Sequence, residues 1–92
     1  KEFYEKDDYE KALENYEKSF ETYKIVYGNN LNNPRISTIL NCIGEVYDSI
    51  GDYDKALEYY EKSFEIDKIV YSNNSNHPNI ASCLNNIGLV YK

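Results

Sequence analysis

The stretch "DYDKALEYYEKSFEIDKIVY", residues 52–71, has a near twin in "DYEKALENYEKSFETYKIVY", residues 8–27. Displacing the chain by 44 positions carries residues 8–48 onto 52–92 without a gap, and roughly two-thirds of the paired positions are identical, the mark of a repeat architecture. A unit of this size cannot bury its own apolar face, so copies must stack to complete a core. Phe3 obeys the same shift, falling on Tyr47. The chain is therefore expected to open within the last turns of one helix, to close at the same point of another, and to be cut from a longer array.

Each copy reads as two helices. Tyr53, Ala56, Leu57, Tyr60 and Phe64 recur at helical spacing along one stripe, and a second strip runs through Tyr59, Ile66, Ile69 and Val70. Two strips require two neighbours. The positions between them are Glu, Asp and Lys, expected on solvated faces, and Glu14/Lys18 and Glu58/Lys62 have the favourable i, i+4 order. Asp8 and Asp52 stand where an N-cap would accept free backbone N–H groups. The helix should run to Tyr27 or Tyr71, about 28 Å at the usual rise.

The other helix follows a polar break, "GNNLNNP" (28–34) or "SNNSNHP" (72–78), whose proline suits a first helical position. Its apolar set is Ile36, Ile39, Leu40, Ile43, Val46, Tyr47 and Ile50, and in the copy Ile80, Cys83, Leu84, Ile87, Val90 and Tyr91. Gly51 is placed to end it in the left-handed conformation; Asp7 fills that slot in the first copy, where the turn should be less clean. Gly44 and Gly88 lie inside helices, at a cost of about 1 kcal/mol each relative to alanine. Close approach of partner helices, with Ala12 and Ala56 at matching depth, would offset it. The chain is thus one array: a half repeat over 1–33, a full repeat over 34–77, and the first helix of a third over 78–92.

Composition narrows the function. The formal net charge of −6, with basic residues interleaved among acids, opposes nucleic-acid binding, which needs clustered Lys and Arg. The eleven tyrosines fall mostly on apolar stripes or helix ends and read as packing rather than a stacking platform for bases. No apolar run approaches the roughly 20 residues of a membrane span. No targeting signal is visible, and Cys42 and Cys83 read as reduced core thiols, so a cytoplasmic setting is expected. His77 replaces Asn33 of the first copy beside the proline, which suggests a loop or capping role. No metal-binding or phosphate-binding spacing occurs, and the chain is read as having no catalytic residues and no cofactor.

At fixed spacing Leu40, Ile43, Gly44, Tyr47, Ala56 and Tyr60, with Leu84, Ile87, Gly88 and Tyr91 repeating the first half, resemble the tetratricopeptide repeats. The long second helix and the "NHPNIASCLNNIG" segment (76–88) look most like the longer version of kinesin light chains. The resemblance implies an all-α, right-handed α-solenoid of antiparallel helix pairs whose concave face holds peptide segments of partner proteins. On the outward face of the first helices the period places Thr38, Asn41, Glu45 and Asp48, then Ser82, Asn85 and Leu89. Asn41 and Asn85 stand out, since an amide can both donate to and accept from an extended peptide backbone. Some members clamp a terminal carboxylate with cations at such positions; Glu45 and Asp48 instead favour a neutral or basic segment. The alternative is a structural array whose uncovered ends associate, end to end or by helix exchange.

Overall fold

A computed structural model of the chain describes residues 6–28, 30–74 and 76–91; the expectation resting on Phe3 falls outside them. Four helices follow one another, α1 (Lys6–Tyr27), α2 (Pro34–Ile50), α3 (Tyr53–Val70) and α4 (Pro78–Tyr91), with no strand among the described residues. Each packs against the next.

The boundaries follow local chemistry. Asn33 caps α2, its side-chain oxygen accepting from Arg35 N at 2.8 Å, and Pro34 opens the first turn. Gly51, at φ 99°, ends α2, its N–H reaching Tyr47 O and Asp48 O, while Asp52 N donates to Tyr47 O at 2.9 Å. Asp52 then caps α3, its carboxylate accepting from Lys55 N at 3.3 Å. Asp8 does not play the matching part. It lies inside α1, because Asp7 in the slot of Gly51 does not take a left-handed turn and the backbone stays helical from Lys6. At α4 the imidazole of His77 takes over from the Asn33 amide: Nδ1 accepts from Asn79 N at 3.1 Å and the ring stacks on Tyr71.

The core lies between α2 and α3. Ser37 meets Ser63, and Gly44 meets Ala56 and Tyr60, so rising numbers in one helix pair with falling numbers in the other and the two run antiparallel. Ile36, Leu40, Ile43, Ala56 and Tyr60 are buried there, and Ile80 and Cys83 extend the core into α4. No described residue of α1 is fully buried. The second strip is only partly covered, with Ile69 exposed. The line of α3 that faces α4 is instead Ser63 and Asp67, both buried. Placing every carboxylate on a solvated face is therefore wrong for Asp67, whose helix has a neighbour on that polar side. The expected ion pairs form, Glu14–Lys18 at 3.3 Å and Glu58–Lys62 at 3.2 Å, but their exposure limits each to a fraction of a kcal/mol.

The two interior glycines part company. A Cβ on Gly44 would stand 2.8 Å from the Tyr60 ring and 3.3 Å from Ala56 O. Burying the Tyr60 ring stabilises by about 1.5–3 kcal/mol, which exceeds the roughly 1 kcal/mol helix cost of the glycine that admits it. Gly88 meets nothing within 4 Å, since no described helix stands opposite α4 as α3 stands opposite α2; Leu84 and Tyr91 are exposed for the same reason. The expectation of close approach thus holds for Gly44 and fails for Gly88. Gly44→Ala should lower stability by about 1–2 kcal/mol, overpacking outweighing the helix gain, whereas Gly88→Ala should raise it by about 1 kcal/mol. Urea unfolding followed by circular dichroism measures both, and equal effects would contradict this account.

Candidate functional site

Because α2 and α4 both run antiparallel to α3, they lie side by side with a groove between them, a cleft of about 290 Å³. The walls carry Thr38, Asn41, Cys42 and Glu45 from α2, and Asn79 and Ser82 from α4. The floor is Ser37, Ser63, Asp67 and Cys83, all nearly inaccessible. Among the described residues, no Lys, Arg or His lines it.

Of the residues that the sequence places on this face, Thr38, Asn41, Glu45 and Ser82 come together in the groove. Asp48, Asn85 and Leu89 are not among its lining residues. Asp48 lies near Tyr60 of α3; burial, followed by the charges of Asp48 and Glu45, raises the phenol's pKa above its ordinary value. Asn85 and Leu89 are exposed further along α4. Asn41 is engaged by the neighbouring helix: Asn86 Nδ2 donates to its Oδ1 at 3.2 Å, joining α4 to α2 across the groove. The Thr38 hydroxyl donates to Pro34 O at 2.9 Å, so its proton is already engaged within α2.

The floor is a hydrogen-bonded chain. The Ser37 and Ser63 hydroxyls lie 2.8 Å apart, with Ser63 Oγ donating to Ser37 O at 3.0 Å and Ser37 Oγ approaching Ser63 O at 3.2 Å. Ser63 Oγ also lies 3.5 Å from Cys83 Sγ, and the thiol donates to Asp67 Oδ2 at 3.4 Å. Desolvation is the main reason the Cys83 thiol is pushed up to about 11, the Asp67 carboxylate adding to it. Cys42 is raised too, by desolvation first and by Glu45, against a hydrogen bond from Tyr16. Desolvation along the groove wall, and then Asp48, push the Glu45 carboxyl above its usual range.

Sequence reasoning did not find Ser37, Ser63, Asp67 or Asn79. Comparing the two copies would have drawn attention to one junction: Tyr23, Arg35 and Ile39 of the first copy become Asp67, Asn79 and Cys83 in the second.

A family model for the tetratricopeptide repeat matches residues 3–69 and again 35–92. The chain belongs to the tetratricopeptide repeat family. Members of this family generally act as modules for protein–protein interaction and are typically non-enzymatic scaffolds. Comparison with curated proteins yields no match.

Both thiols are free. In the native protein Cys42 should react with a maleimide without prior reduction, and Cys83 far more slowly. The rate at Cys83 should still be climbing about tenfold per pH unit as pH approaches 10, because its thiolate fraction has not saturated. Mass spectrometry of time-resolved labelling reads this directly; equal rates at the two positions would contradict the burial of Cys83.

Proposed function

We propose that this repeat array holds an extended peptide segment of a partner protein in the groove between α2 and α4, and that the segment is neutral or basic. The observation that carries the reading is the lining itself. Hydroxyl and amide groups are interleaved with two carboxylates, Glu45 and Asp67, and no cation. Such a surface offers hydrogen bonds to a peptide backbone and repels an acidic chain. Nothing in this reading asks the chain for catalysis, a cofactor, a nucleic acid or a membrane. His77 is occupied in capping α4, and among the described residues no helix is long and apolar enough to span a bilayer. A cytoplasmic protein partner is the expected setting.

The test is a peptide array probed with the labelled chain, in which every hit is re-synthesised with Lys and with Glu at each position. Neutral and Lys-bearing versions should be retained, and Glu-bearing ones should lose binding by roughly tenfold, with the charge effect weakening in salt. Ser82→Tyr, at an exposed wall position, should abolish binding while leaving the circular dichroism spectrum unchanged. Preference for the Glu versions would overturn the reading.

A second reading, self-association, is favoured by apolar side chains left uncovered on the outer helices: Ile25 and Val26 of α1, and Leu84, Leu89 and Tyr91 of α4. In a solenoid, faces of this kind are covered by a neighbouring repeat. Light scattering across a hundredfold concentration range decides it. Mass rising with concentration supports end-to-end stacking, and a constant monomer mass rejects it.

A further inference from the structure

Asp67 is a buried carboxylate with incomplete partners. It is 3% exposed, and it lies four residues before the C-cap Tyr71, where the helix dipole disfavours negative charge. Cys83 supplies a thiol to Oδ2, while Oδ1 has no protein donor. The two serine hydroxyls beside it have one proton each, and each lies within hydrogen-bond reach of the other serine's backbone carbonyl. A thiol is a weak donor, and a buried carboxylate left half satisfied carries a large desolvation cost.

The internal repeat shows that this arrangement is particular to one junction. At the equivalent cleft between α1 and α2, residues Tyr23, Arg35 and Ile39 line the wall. There a phenol and a sec-butyl group stand at the positions of the carboxylate and thiol, and a cation is present. At the α3–α4 junction all three positions change together to Asp67, Asn79 and Cys83. Bulk is removed, a negative charge is introduced, and the position that could have neutralised it within the chain becomes a neutral amide. An array that merely needed to pack could have kept the Tyr–Ile pair. The groove containing Asp67 also has Glu45 on its wall and no basic lining residue.

We propose that Asp67 is the floor of a specificity pocket that accepts one cationic side chain, a lysine ammonium or an arginine guanidinium, from a peptide lying between α2 and α4. The cation takes the unpartnered Oδ1, with the Asn79 amide and the Ser82 hydroxyl at the entrance. The inference rests on the reading of the groove as a peptide-holding face and adds to it the residue that would be read.

The test uses the isotope-labelled chain and the acetylated, amidated pentapeptide Gly-Gly-Lys-Gly-Gly, with arginine, acetyl-lysine and glutamine counterparts, followed by amide NMR shifts. The Lys and Arg peptides should give saturable shifts at Ser63, Asp67 and Cys83, and the neutral counterparts should bind roughly tenfold or more weakly, as loss of a hydrogen bond to a charged group predicts. Asp67→Asn, which can still accept from the thiol, should erase the preference for the charged peptides. Should that variant fold poorly, Asp67→Tyr combined with Cys83→Ile rebuilds the pair already present at positions 23 and 39, and should fold while losing the site. Equal affinity for the lysine and glutamine peptides at the groove would overturn the pocket and leave the groove reading standing. No shifts with either cationic peptide would overturn the pocket as well, and the peptide array then decides the groove separately.

Discussion

The molecule depends on one close approach. Gly44 lets the Tyr60 ring and the backbone of Ala56 come within reach of α2, closer than any side chain would allow. With the two helices at that separation, Ile36, Leu40, Ile43 and Tyr60 form a shared interior. The distance also brings Ser37 opposite Ser63, so that each hydroxyl reaches an acceptor on the other helix. Every other feature of the array is placed relative to this hairpin, including the groove, whose floor is the far side of the same α2–α3 seam.

The outer helices are held differently. α1 contributes half-buried side chains such as Ala12 and Tyr16, and α4 inserts Ile80 and Cys83 while leaving Leu84 and Tyr91 uncovered. In a one-dimensional stack each element depends on its neighbours, and an element covered on one side retains only part of its burial energy. The central hairpin is the stable unit, and α1 and α4 lend it their inner faces.

Much of this was legible in the sequence, and for definite reasons. Helix boundaries at Asn33, Pro34 and Gly51 follow from caps and breakers whose chemistry acts within a few residues, so they could be read without tertiary knowledge. The same local reading misplaced the Asp8 cap, because a cap requires the preceding backbone to leave the helix and Asp7 does not impose that. Gly44 was legible as a packing glycine, but its twin Gly88 was not distinguishable from it: closely similar local sequence meets different neighbours. The candidate groove was half visible. Periodicity located Thr38, Asn41, Glu45 and Ser82, which face outward from the first helices. It could not locate Asp67 or Ser63, which belong to the second helix and reach the groove from below, through a seam that polar residues were not expected to occupy. That Asn41 would meet Asn86 rather than stand open depends on how far two parallel helices are offset, which no single-helix pattern encodes.

The reciprocal serine bonds have a mechanical consequence. Sliding α2 along α3 would strip both hydroxyls of their cross-helix acceptors at once, away from solvent, while the carbonyls keep their intrahelical N–H donors, so shear within the hairpin is resisted. α4 is fastened to the hairpin by thiol and amide contacts, which tolerate changes of angle more readily. A pivot of α4 about the Cys83 contact would alter the width of the groove without disturbing the Ser37–Ser63 bonds beneath it, which belong to the hairpin alone.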